Sequence, residues 1–211
     1  MTDVRQQINA VRRTLGTRVL EAGEARVSTI SQVYDTDQDD LWQAVTDPQR
    51  IARWFLPLAG ELKEGGHYQL TGNAGGTITR CDKPHSYAAT WEYGDQVSWI
   101  EVRLSDAGDG RSRFELEHVA HVGDEHAEQY GPGAVGLGWD MGLVGLANYL
   151  GDRDAALAPG AGAAWAASAD GKEFMLLCSE AWAEADIAAG TDPQRARRQA
   201  ANTYAAYTGG E

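Results

Sequence analysis

Three histidines, His118, His121 and His126, fall in one short stretch of the 211-residue chain. Such a cluster could hold a metal or move protons. His118 and His121 are three apart on a segment that alternates like a strand, so they point to opposite faces and no shared metal is expected. His118 alone lies on the apolar face, where it is either a hydrogen-bonded core histidine or a base. The carboxylates Glu61, Glu92 and Glu117 could do acid-base work, but alternation turns Glu92 and Glu117 outward. The acidic run DTDQDD opens like a calcium loop, yet Asp40 stands where that loop needs glycine and Thr46 where it needs a bidentate Glu. Gly131 to Gly136 formally matches G-x-G-x-x-G, but it follows no strand and carries Pro132 inside the turn. Without a G-x-S-x-G, P-loop or H-E-x-x-H pattern, nothing local announces an enzyme, and no cofactor is expected.

The aromatics are more informative. In SYAATWEY the face bearing Tyr87, Ala89, Trp91 and Tyr93 points inward, in VSWIEVRL that bearing Ile100, Val102 and Leu104, and in RSRFELEH that bearing Phe114, Leu116 and His118. Trp99 is left outside with Glu101 and Arg103. A helix bearing Trp139 and Leu143 also carries Gly136, Gly138, Gly142 and Gly145, each costing about 1 kcal/mol relative to alanine. Close approach to the sheet, or to a ligand between them, would repay that. Large residues set against small ones can frame a hole or fill a solid core, and spacing leaves both open. If a cavity exists, its expected lining is Trp54, Phe55, Tyr87, Trp91, Phe114, His118, Trp139 and Leu143, with His118 orienting the ligand.

These side chains need a sheet, a helix pair and a long helix to position them. Ile8, Val11 and Leu15 predict a short amphipathic helix ended by Gly16. Arg26 to Tyr34 alternates and is rich in β-branched residues, predicting a strand. Asp37 caps a helix with the stripe Leu41, Trp42 and Val45, and Asp47-Pro48 opens a second with Ile51, Trp54 and Phe55. From Gly60 to His121 five turn signals (Gly65-Gly66, Asn73 to Gly76, Lys83-Pro84, Gly94-Asp95 and Gly108 to Gly110) imply six strands, so the sheet should have about seven. Val135, Trp139, Leu143, Leu146 and Leu150 form the stripe of the long helix. Ala155 to Ala169 reads as a linker, Asp170 with Glu173 as a cap, and Asp192-Pro193 as the start of a last helix. The expected organisation is an N-terminal helical segment (1–25), a main domain (26–151), a linker (152–169) and a C-terminal helical extension (170–211). The tail is too small for its own core and should dock on the main domain or in a homodimer through the terminal helices.

Composition narrows the function. A net charge of −13 repels phosphate backbones and anionic headgroups, so neither nucleic acid nor a membrane surface is an expected partner. Arg195, Arg197 and Arg198 read as a solvated helix face. Two cysteines without a C-x-x-C pair suggest neither a disulfide framework nor a zinc site. With no apolar leader or membrane span in the sequence, a cytoplasmic location is expected.

The segments DTDQDDLWQAVTDPQRIARWF, GGHYQL, SYAATWEY and GDGRSRFELEH together resemble the activator of Hsp90 ATPase homologue-like group of the START-like, or SRPBCC, superfamily, over roughly Arg26 to Leu150. The resemblance implies an α+β helix-grip (Bet v 1-like) fold, a curved antiparallel sheet gripping a long C-terminal helix with a cavity between them, here with an extra helical tail. It also implies binding of apolar molecules, and in some members cyclisation or dehydration. Three functions follow as expectations: a carrier or sensor of a small apolar or aromatic ligand, a cyclase or dehydratase using His118, and a stress-response protein contacting a chaperone through Trp99. Hsp90-stimulating members carry an additional N-terminal domain, whereas about 25 residues precede the first strand here.

Overall fold

The structure, a computed structural model, describes residues 3–21, 23–121, 125–153 and 161–210. Helix α1 (Val4–Ala10) leads into an antiparallel hairpin of β1 (Val11–Leu20) and β2 (Gly23–Tyr34). Helices α2 (Gln38–Thr46) and α3 (Pro48–Ile51) follow, then strands β3 (Leu58–Gly60), β4 (His67–Leu70), β5 (Gly75–Asp82), β6 (Ser86–Tyr93), β7 (Gln96–Gly108) and β8 (Arg111–His121). The rest is helical: α4 (Glu125–Tyr130), α5 (Gly133–Gly151), α6 (Ala161–Ala167), α7 (Ala169–Ala188) and α8 (Pro193–Thr208).

One antiparallel sheet takes all eight strands in the order β1-β2-β8-β7-β6-β5-β4-β3. The α2–α3 pair carries the chain from β2 to β3 at the far edge of the sheet, and the meander from β3 returns so that β8 pairs with β2. Each of the five turn signals separates two strands, so the six strands β3 to β8 are those the punctuation predicts. The added strand is β1. Its residues do not continue the first helix, which ends at Ala10. Val11 and Leu15 are four apart, twice the strand period of two and close to the helix period of 3.6, so the pair fits either reading. The inward Arg13 between them hides the strand pattern.

Local chemistry accounts for the helix starts. The Asp37 carboxylate accepts from the Asp40 N–H, and Asp47 accepts from the N–H groups of Gln49 and Arg50 with Pro48 in the first turn. Asp192 caps α8. The cap of α7 is Ser168 rather than Asp170, its hydroxyl accepting from the Gly171 N–H. Within the expected linker, residues 154–160 lie outside the described residues, and Ala161–Ala167 is helical.

Helix α5 is the centre of the molecule. One side faces the concave side of the sheet through Trp139, Leu143 and Leu146, and the other packs Leu137 and Val144 on Phe174, Met175 and Cys178 of α7. Val135 does not continue the buried stripe. It is exposed, and the first turn of α5 is instead tied to α8, where the Tyr207 hydroxyl donates to the Ala134 carbonyl. The tail completes the main core, since Trp182 of α7 is fully buried within it. The Trp182 indole N–H donates to Asp140 at 2.8 Å, and Arg13 of β1 closes on the same carboxylate at 2.6 Å. A buried ion pair needs such extra hydrogen bonds to offset its desolvation. Strand β1, α5 and α7 are thus locked through one carboxylate.

Two helix glycines are explained by packing. A Cβ at Gly136 would lie 2.2 Å from the Trp182 ring, and one at Gly145 would lie 2.3 Å from the Trp54 carbonyl oxygen. The close approach is therefore to α7 and to the segment after α3, not to the sheet.

Candidate functional site

Alternation along β6, β7 and β8 puts Tyr87, Ala89, Trp91, Ile100, Phe114 and Leu116 on the concave face, in register across the three strands. Tyr68 and Leu70 of β4 and Ile78 of β5 extend this floor. Helix α5 forms the roof with Trp139, Gly142, Leu143 and Leu146. Trp42 and Val45 of α2, Ile51 of α3 and the following Trp54 and Phe55 close one side. Between them lies a pocket of about 280 Å³, with Cys81 and Lys83 at its exposed rim.

The side wall is pinned from outside. Arg50 donates to the Tyr149 hydroxyl at 2.8 Å and to Asp40 at 3.0 Å, and the guanidinium groups of Arg50 and Arg53 stack over the Tyr149 ring. Arg153, and secondarily Thr36 and Arg50, hold the Asp40 carboxyl well below the usual carboxylate range. The Trp54 indole N–H donates to the Ala44 carbonyl at 2.9 Å. These contacts bind α2 and α3 to the C-terminal end of α5. Gln38, at the start of α2, donates to the Pro84 carbonyl and ties the rim turn to the same wall.

Seven of the eight expected lining residues, Trp54, Phe55, Tyr87, Trp91, Phe114, Trp139 and Leu143, stand on the pocket wall. His118 does not. It is buried behind Trp139, whose indole N–H points to His118 Nδ1 at 3.5 Å, while His118 Nε2 lies 2.8 Å from the Ser98 hydroxyl. Indole can only donate, so Nδ1 accepts and Nε2 carries the proton. The Ser98 hydroxyl in turn donates to the Trp91 carbonyl at 3.0 Å. Burial lowers the His118 pKa to about 4, so the ring is neutral at pH 7. This relay fixes the tilted Trp91–Trp139 pair, whose ring centroids are 4.7 Å apart. Alternation assigns a face of a strand, but not which inward residue another ring covers.

Sequence reasoning left out Trp42, Cys81 and Lys83 from the wall. Trp42 sits in the apolar stripe of α2, and Cys81 is the register partner of Tyr87, so alternation could have found both. Lys83 lies in a turn and gives no periodic signal. The Tyr87 hydroxyl and the indole N–H groups of Trp42 and Trp91 make no hydrogen bond among the described residues, and none is sealed off by protein atoms. Burial pushes the Tyr87 hydroxyl well up from the usual phenol range, so it stays a neutral donor.

The other candidates lie elsewhere. Glu92 is exposed, Glu61 pairs with Lys63 on the surface, and Glu117 faces Arg18 and Arg103 on the convex side. His121 is on the face opposite His118, and the side chain of His126 lies outside the described residues. Among the described residues no group of three or more His, Cys, Asp or Glu is placed to hold a metal. Trp99 is half-buried, packed on Ala25, Val27 and Val119 of its own sheet, with its ring edge-on to His121. No helix among the described residues is long and apolar enough to cross a membrane.

Residues 35–151, more than half of the chain, match the family described as activator of Hsp90 ATPase homolog 1-like protein. The chain belongs to this family. CalU16 from Micromonospora echinospora is similar in both its crystal structure (33% identity, TM-score 0.66, covering 86% of this chain and 99% of that one) and its solution structure (36%, 0.68, 86% and 97%). A conserved protein of unknown function from Enterococcus faecalis shares the fold at 12% identity, with a TM-score of 0.59 over 84% of this chain and 92% of that one. These likenesses cover more of the chain than the segment matched by the family. Among curated proteins none matches this sequence. The α+β helix-grip architecture of this activator-like group is what the sequence resemblance implies.

Proposed function

We propose that this member of the activator-like family is a carrier or sensor of a small apolar, aromatic ligand held between the sheet and α5. The observation that supports it best is the pocket, walled by aromatic rings and carrying unpaired donors on Tyr87, Trp42 and Trp91. Ligand sites characteristically combine such an apolar wall with a few polar groups. At about 280 Å³ the space exceeds the roughly 150 Å³ that holds a benzene, and it falls just under the roughly 300 Å³ at which drug-sized sites begin. Two or three rings fit that interval. The cyclase or dehydratase alternative loses support because His118, its proton carrier, is neutral, bonded at both nitrogens and screened from the pocket by Trp139. The chaperone alternative loses support with Trp99 packed on its own sheet. A cytoplasmic carrier is the setting the sequence suggests.

The neutral dye N-phenyl-1-naphthylamine, which brightens in apolar surroundings, provides the test. Gly142 lines the pocket, and a Cβ there meets Phe55 only at 3.7 Å, so Gly142→Leu can be built and projects into the space. Wild-type protein should bind the dye saturably, and Gly142→Leu should bind it about tenfold or more weakly with an unchanged circular dichroism spectrum. Equal binding by the two proteins would place the dye elsewhere and remove the pocket from the proposal.

A further inference from the structure

The hydrogen-bond donors that the pocket leaves unused bear on the chemistry of its ligand. Thr46 donates to the Trp42 carbonyl, Trp54 to Ala44, Tyr68 to the Thr90 carbonyl and Trp139 to His118. What remains without a hydrogen bond among the described residues is the Tyr87 hydroxyl, the indole N–H groups of Trp42 and Trp91, the Cys81 thiol and the Lys83 ammonium. Indole N–H and ammonium donate only. Lys83 is also the one charged side chain among the described lining residues, and no ion pair holds it within the described part of the chain. The nearby carboxylate of Glu64 does not line the pocket, and it accepts from the Cys81 backbone N–H at 3.3 Å. In a chain of net charge −13, a lone cation at the mouth of an apolar cavity runs against the surrounding field.

Resting on the binding role proposed above, we infer that the ligand is an aromatic or polycyclic carboxylate: a planar apolar body lying against the Trp91–Trp139 pair and Phe114, with acceptor oxygens toward the free donors and its anionic group at Lys83. A neutral hydrocarbon would leave the donors unmatched, and a buried donor without a partner is costly. A cationic ligand would meet Lys83 at the entrance. The anion stays at the wet rim, where it keeps part of its hydration, while the rings occupy the dry interior.

Three naphthalenes of one shape separate the cases: 2-naphthoate, the neutral 2-naphthamide and the cationic 2-naphthylmethylammonium, titrated calorimetrically into the full chain, its Lys83→Gln variant and its Lys83→Glu variant. For wild type, naphthoate should bind about fivefold more tightly than naphthamide, with the cation weakest and the preference shrinking as salt rises. Lys83→Gln should erase the preference and Lys83→Glu reverse it, while naphthamide affinity stays constant in all three proteins. Equal affinities for naphthoate and naphthamide, or a preference that survives Lys83→Gln, would overturn the carboxylate assignment and leave the binding role standing. If N-phenyl-1-naphthylamine binds and none of the three naphthalenes does, the assignment fails again. If the dye fails as well, the binding role falls with it.

Discussion

At the residue scale His118 carries a clear consequence of the geometry. Its pKa is lowered to about 4 by burial, below the ordinary value of 6.5, so between those pH values the unfolded chain takes up a proton that the folded chain refuses. Stability from this group is complete above about pH 6.5 and is lost as pH falls toward 4, by about 3 kcal/mol in all. Asp40, held low by Arg153, adds a second loss only as pH drops below the ordinary carboxylate pKa. Urea unfolding across pH should show both windows, and His118→Gln should flatten the upper one alone. A variant with an unchanged profile between pH 4 and 6.5 would show that His118 is not the buried neutral group. The same residue marks how far the sequence could be read. Period-two alternation gives the inward face of β8 correctly for Phe114, Leu116 and His118. It cannot give the covering of His118 by Trp139, because that depends on where α5 crosses the sheet.

At the element scale the helix glycines divide by what they touch. Gly136 and Gly145 admit α7 and the Trp54 backbone at distances no Cβ tolerates, whereas a Cβ at Gly142, on the pocket wall, meets Phe55 and Trp54 at ordinary contact distances of 3.7–4.0 Å. Gly142→Ala should therefore stabilise the fold by about 1 kcal/mol through helix propensity. Gly136→Ala should destabilise it by about 1–3 kcal/mol, the usual range for overpacking. Thermal or urea unfolding reads both, and an equal effect of the two would mean that Gly142 is as tightly packed as Gly136. The strands between Gly60 and His121 are legible because each turn carries Gly or Pro chemistry. Strand β1 is not, because its two inward apolar residues, Val11 and Leu15, suit a helix equally well and the residue between them is the buried Arg13. Its inward charge makes sense only once Asp140 of α5 is in view.

At the scale of the whole molecule, α5 works on two sides at once. Its sheet side roofs the pocket, and its other side is held by α7 through Leu137, Val144 and the Asp140–Trp182 bond. The helices after the family segment therefore set the height of the roof, and with it the volume beneath. No sequence pattern announces this, since Trp182 joins a core just over sixty positions from the end of the nearest strand. The seven tryptophans are distributed so that they report on this arrangement directly. Trp42, Trp54, Trp91 and Trp139 line the pocket, Trp99 lies on the convex face, Trp165 packs on Phe174 and Trp182 sits beyond α5. The decisive measurement is the set of seven indole N–H signals in a ¹H–¹⁵N spectrum during titration with 2-naphthoate. Ligand between sheet and α5 should move the Trp42, Trp91 and Trp139 signals together, Trp42 and Trp91 most because their N–H groups are free, and leave Trp99 and Trp165 in place. Shifts confined to Trp99 or Trp165 would contradict a ligand-binding pocket in this protein, and no shift at all with naphthoate would contradict the carboxylate assignment.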